Sequence, residues 1–193
     1  DWTERIIPYG IGSAYGAELF VEKDFKYLNL TFEYTYGKSE RRFGDINFDR
    51  AYPSKYDITH DIGLTAGLQL TDKWSVQSLF VYQTGRPVTM PSAVFIDPGG
   101  LPSYINDEVN GNRLPDYHRL DISFIREKQI STYKFSKWTF GAYNVYARSN
   151  PMYLELNYSA IPLNVYPPIG YDSYVTQQTV FKFVPFISYN LKF

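Results

Sequence analysis

Val180-Phe181-Lys182-Phe183-Val184-Pro185-Phe186-Ile187-Ser188-Tyr189-Asn190-Leu191-Lys192-Phe193 is the stretch whose reading decides the fold. Taken every second residue, Phe181, Phe183, Pro185, Ile187, Tyr189, Leu191 and Phe193 are apolar or amphipathic. The residues between them include Lys182, Ser188, Asn190 and Lys192. A period of two over this length describes one extended strand with an oily face and a wetter face. A 3.6-residue period would mix the two sets on every side of a helix. The terminal aromatic is what a strand meeting a membrane interface carries. An ordinary sandwich strand is the alternative that this stretch alone leaves open.

The same alternation recurs upstream. Tyr15, Ala17, Leu19 and Val21 oppose Gly16, Glu18, Phe20 and Glu22 in phase. Leu28, Leu30, Phe32, Tyr34 and Tyr36 oppose Asn29, Thr31, Glu33, Thr35 and Gly37 without exception. Ile62, Leu64, Ala66, Leu68 and Leu70 oppose Asp61, Gly63, Thr65, Gly67 and Gln69. Trp74 to Gln83 alternates less cleanly, with its aromatics near both ends, and Leu120, Ile122 and Phe124 alternate with Arg119, Asp121 and Ser123. Trp138 to Arg148 has no clean phase, so its faces are left open, and Met152 to Tyr158 is expected to continue it. Seven strands follow, over residues 13–23, 26–37, 57–70, 73–86, 117–130, 137–158 and 177–193.

The connections sort by length. Short turns near Lys23, Asp72 and Thr132 alternate with long loops at 38–55, 86–116 and 159–174. Antiparallel strands that cross a membrane produce this sorting, with tight turns on the periplasmic side and long loops outside. A tilted membrane strand needs about 9–11 residues, which each segment supplies.

Composition points the same way. Of 193 residues, 19 are Tyr and 14 are Phe, in a chain of net charge −1 whose apolar residues never run to transmembrane-helix length. Many aromatics at modest average hydropathy are expected where half of each strand faces lumen water. The near-zero net charge gives no reason to expect a nucleic-acid partner. The absence of cysteine excludes disulfides and thiolate metal sites.

The expected fold is therefore all-β, an antiparallel transmembrane β-barrel. A closed single-chain bacterial barrel has an even strand number, and open edges in hydrocarbon cost several kcal/mol per unsatisfied backbone group. Residues 1–193 are thus read as the C-terminal part of a larger barrel domain, with any signal peptide removed or upstream. A second expectation is that Trp2 to Ile7 supplies an eighth strand and closes a small structural or adhesive barrel. A third is an incomplete barrel held by another outer-membrane complex through its last strand.

An ordered set of segments resembles the late strands of TonB-dependent outer-membrane receptors. The segments are Ser13 to Phe20, Phe32 to Ser39, Tyr56-Asp57 with His60-Asp61, and Tyr82-Gln83-Thr84-Gly85-Arg86-Pro87. They continue with Arg113 to Asp121, Tyr143-Asn144-Val145-Tyr146 with Asn150-Pro151, and Ser188 to Phe193. The resemblance implies a barrel of about 22 strands plugged by an upstream domain that is absent from this chain. It implies import of a scarce ligand (iron chelate, cobalamin, glycan or peptide) with energy relayed by TonB through the missing upstream part. It also implies that Tyr189, Leu191 and Phe193 form the C-terminal signal read by the barrel-assembly machinery.

Candidate functional residues fall into two groups. Glu18, Glu33, Asp61, Arg119 and Asp121 share the polar face and are expected on the lumen wall, with Arg119 and Asp121 spaced to form a charge pair. Phe95, Tyr104, Asn106, Asp107, Asn110 and Asn112 lie in the long 86–116 loop, where ligand contact is expected. His60 and His118 have carboxylates nearby in sequence, but their phase puts them in an interfacial ring, and no catalytic residue is expected. Neither metal-ligand nor calcium-loop spacing is present, so no metal or cofactor is expected.

Overall fold

The computed structural model describes residues 9–99, 102–106, 108–131, 134–161 and 170–192. Seven long strands form one antiparallel sheet in chain order: β1 (Ile11–Asp24), β2 (Leu28–Arg42), β3 (His60–Thr71), β4 (Trp74–Gln83), β5 (Tyr117–Ser131), β6 (Lys134–Tyr143) and β7 (Val184–Lys192). Each strand pairs with its sequence neighbours, and the sheet does not close on itself. Among the described residues, the outer edges of β1 and β7 carry no partner strand. The expected Trp2–Ile7 strand and Phe193 lie outside the described residues.

Register settles which residues share a face, because directly paired residues point the same way. One row runs Val21–Phe32–Leu64–Phe80–Leu120 across five strands. A second runs Leu28–Leu68–Val76–Phe124–Phe140–Ile187 across six. Toward the tight turns, the same face ends in the row Trp74–Arg126–Trp138–Tyr189. There the Trp138 and Tyr189 rings are 4.5 Å apart between centroids, and Arg126 lies over the Trp74 ring at 5.7 Å. Toward the long loops it ends in Tyr34, Tyr36, His60, Tyr82 and His118.

Trp74 and Tyr82 bound this band on β4. Eight residues at about 3.3 Å each separate them by about 26 Å before any tilt. The opposite face carries Glu18, Thr35, Asp61 and Gln83 in one row, and Asn29, Gly67, Gln77 and Ser123 in another.

Both faces are bare. The chain exposes 13807 Å², whereas a folded 22.5 kDa monomer is expected to expose about 9,500 Å². Tyr52, Pro87 and Ile125 are the only buried apolar side chains among the described residues, and Leu19, Leu64, Phe124, Ile187 and Leu191 are all exposed. The backbone ladder therefore organises the sheet without a core of its own.

The structure corrects several expected boundaries. Met152 to Tyr158 does not continue β6. The chain turns at Asn144 and Ala147, both left-handed with φ of 53° and 55°, and Tyr153–Ile161 pairs instead with Gly170–Gln178 in a separate hairpin. The final strand begins at Val184, so Phe181 and Phe183 fall outside it. The 38–55 loop is shorter than expected, because β2 runs to Arg42 and Tyr52–Pro53 pairs back onto Glu40 and Arg41. The 86–116 stretch holds two small sheets, Pro87–Val88 with Asn112–Arg113 and Pro91–Ile96 with Pro102–Asn106. Proline and glycine density disguises these short pairings, which use few residues and show no long period. The ambiguous phase of β6 is resolved by pairing: Trp138, Phe140 and Ala142 share the apolar face, and Lys137, Thr139 and Gly141 the polar one.

Candidate functional site

The loop end of the sheet gathers the polar side chains that have the most partners. Asp57 is 3 % exposed and forms an ion pair with Arg113. Its Oδ1 accepts the Ser39 N–H at 2.6 Å, and the Ser54 hydroxyl bonds the Ser39 hydroxyl at 2.9 Å. Arg113 also donates to the Gly85 carbonyl at 2.9 Å. A residue of β2 and residues of two loops, far apart in sequence, therefore meet around one buried carboxylate. Such a pair holds geometry firmly, because removing either member leaves a charge unmatched.

A second carboxylate stands beside it. Asp116 accepts the Tyr82 hydroxyl at 2.7 Å and the Gly85 N–H at 2.9 Å, while Arg148 bonds its backbone carbonyl. The Tyr82 hydroxyl, then the Gly85 N–H, hold the Asp116 carboxyl below its ordinary range. Gly85 fits here because it has no side chain: a Cβ would stand 1.6 Å from the Leu114 carbonyl oxygen.

On the next strand pair, Asn144 is buried and spends its side chain on backbone. Its Nδ2 donates to the Arg148 carbonyl at 2.8 Å and to that of Lys182, and its own N–H donates to Asp121 Oδ1 at 2.9 Å. Asn150 makes a reciprocal pair with the His118 backbone, at 3.0 and 2.9 Å.

The expected wall residues lie on one face by register. Glu18 opposes Thr35, Glu33 opposes Gly63, Asp61 opposes Gln83, Arg119 opposes Val81 and Asp121 opposes Leu79. Arg119 Nε lies 3.1 Å from Asp121 Oδ2 on the same strand, and the Asp61 carboxylate accepts the Gln83 amide at 2.9 Å. Tyr189 and Leu191 lie on the apolar face, opposite Trp138 and Ser136.

The expected loop residues do not converge. Phe95 is exposed on the 91–106 hairpin, with Tyr104 and Asn106 on its other strand. Asn110 donates its N–H to Thr89 Oγ1 of its own loop and its side-chain amide to the Pro53 carbonyl of the neighbouring one, both at 2.9 Å. Asn112 pairs with Val88 in the other small sheet, and Asp107 lies outside the described residues.

The histidines bond tyrosines, not carboxylates. His60 Nδ1 is 3.0 Å from the Tyr34 hydroxyl, and His118 Nδ1 is 2.8 Å from that of Tyr146. Among the described residues, no group of three or more His, Asp and Glu side chains is arranged to hold a metal.

Sequence reasoning missed Asp57, Arg113, Asp116, Asn144 and Asn150 as a functional set. Their signal lay in short irregular motifs between strands rather than in any period. No family description, curated protein or solved structure matches this chain.

Proposed function

We propose that this sheet is part of the wall of a transmembrane β-barrel in the outer membrane of a Gram-negative bacterium. In this reading the chain serves a TonB-dependent transporter as wall and carrier of external loops. The observation that carries the proposal is the apolar face bounded at both ends by aromatic rows, continuous through the paired strands. Its extent along β4, about 26 Å before tilt, is comparable with the apolar band of outer-membrane barrels, about 25 Å tall. Exposed apolar surface of this continuity in water marks an interface, and lipid is the partner that needs no shape complementarity.

The edges of β1 and β7, without a partner strand among the described residues, support a barrel completed by further strands, since an open edge in hydrocarbon is costly. The lumen then receives the polar face with Glu18, Glu33, Asp61, Arg119 and Asp121. In this role the partners are lipid, the rest of the barrel with its plug, TonB through upstream residues, and the assembly machinery through the last strand. No nucleic-acid partner, catalytic step or cofactor is assigned.

Fractionation of cells producing the full natural protein tests the reading. The chain is expected in the outer-membrane fraction, resistant to alkaline extraction and soluble only with detergent. Recovery as a folded, detergent-free species from periplasm or cytosol would overturn it.

A further inference from the structure

The loop between β2 and β3 displays an aromatic ring that folding alone would hide. Phe48 is 88 % exposed. Its φ is 55°, and its neighbours Asn47 and Asp49 are also left-handed, at 53° and 58°. Three consecutive non-glycine residues rarely adopt this conformation, and it persists only where the surroundings impose it.

Three clamps do so. Arg42 grips Asp49 through its carbonyl at 2.8 Å and its carboxylate at 2.6 Å. Asn47 makes a reciprocal pair with the Val109 backbone, donating to its carbonyl at 2.9 Å and accepting its N–H at 2.7 Å. Arg50 forms an ion pair with Glu108. The ring is thus held outward by contacts reaching into the 86–116 loop.

Beside the ring lies an open cavity of about 480 Å³ lined by Gly44, Asp45, Asn47, Phe48, Asn106 and Glu108. An apolar ring next to planar amides and carboxylates matches a ligand with C–H groups on one face and hydroxyls at its rim. Glu108 is paired with Arg50, whose guanidinium also lies 5.7 Å from the Phe48 ring centroid, so Asp45 carries the charge in the lining that disfavours an anion. We infer that this cavity is a binding site for a neutral saccharide, with Phe48 as the stacking platform and Asp45, Asn106 and Glu108 as hydroxyl partners.

The inference deepens the transporter reading and rests on it only for the loop end facing the ligand. It also adds Phe48, Asp45 and Glu108 to Asn106 as a set that the sequence did not single out.

The test measures binding of neutral linear oligosaccharides (α-glucan, β-glucan, mannan and xylan) to the full natural protein in detergent. At least one is expected to bind. Phe48→Ala should weaken that binding about tenfold or more, while Phe48→Trp retains it. Phe25→Ala, which removes an exposed ring at the opposite end of the sheet, should leave it unchanged. Folding of each variant is checked by heat-modifiable migration. Folded protein that binds none of the four, or binding indifferent to Phe48→Ala, overturns the saccharide site. Failure of the membrane reading would appear separately, as wild-type protein that does not fractionate with the outer membrane.

Discussion

The body of the sheet and its loop end are held together by different means. In the body, β1 to β7 are joined by a continuous set of paired strands, with register shifts only beside the tight turns at 69–71 and 129–131, and side chains merely sort to two sides. At the loop end, regular pairing gives out, and side chains such as Asp57, Asp116 and Asn144 tie backbone segments far apart in sequence. The difference teaches where each kind of information resides. A sheet face set by strand pairing needs only a period, whereas a knot of loops needs particular residues at particular places.

The largest effect should come from reversing the face rule in the body. Leu64→Lys places an ammonium in the middle of the apolar face and should cost about 2–4 kcal/mol, against about 0–1 kcal/mol for Thr65→Lys on the next position. Unfolding in micelles or lipid vesicles reads both, and equal costs would break the comparison. At the loop end, Gly85→Ala forces a Cβ into the Leu114 carbonyl and should cost about 1–3 kcal/mol locally. Hydrogen exchange should rise in residues 54–59, 84–86 and 112–116 while the middles of β3 and β4 stay protected. Loss of protection throughout would mean that the two regions are not separable.

A smaller effect is expected from the turn end. Trp138→Ala removes the ring packed on Tyr189 and should cost about 0.5–1.5 kcal/mol beyond the lost area.

The smallest effect is that of pH. The Asp116 carboxyl titrates below the ordinary value of 3.8, so its bonds to Tyr82 and Gly85 contribute fully above that value. The contribution is lost as pH falls through the lowered one. Limited proteolysis of residues 84–86 and 113–116 should therefore stay constant from neutral pH down to the ordinary aspartate range and rise only below it. Asp116→Asn should remove that dependence, and an onset near neutrality would contradict the assignment.

The body was legible in the sequence for a physical reason. Leu28 to Gly37 and Asp61 to Leu70 alternate without exception, and the pairing of the two strands sets every apolar residue of both on one face. β6 was illegible alone, since Gly141 and Ala142 give no contrast between faces, and only its neighbours fix its phase. The loop end was legible only as a likeness. Gly85, Asp116, Asn144 and Asn150 stood out in motifs that resemble those of a known family, yet nothing in their spacing told that they meet. Phe48 gave no signal at all, because left-handed backbone at Asn47, Phe48 and Asp49 is imposed by Arg42 and Val109 from elsewhere in the chain.

Because the chain contains no cysteine, single cysteines report cleanly on facing. A fluorophore placed in turn at Leu28, Leu30, Phe32 and Leu64, and at Asn29, Thr31, Glu33 and Thr65, would be read in vesicles with brominated acyl chains. The account predicts strong quenching at the first four positions and little at the second four. Equal quenching on both sets, or full accessibility of the first set to a water-borne quencher, would contradict it.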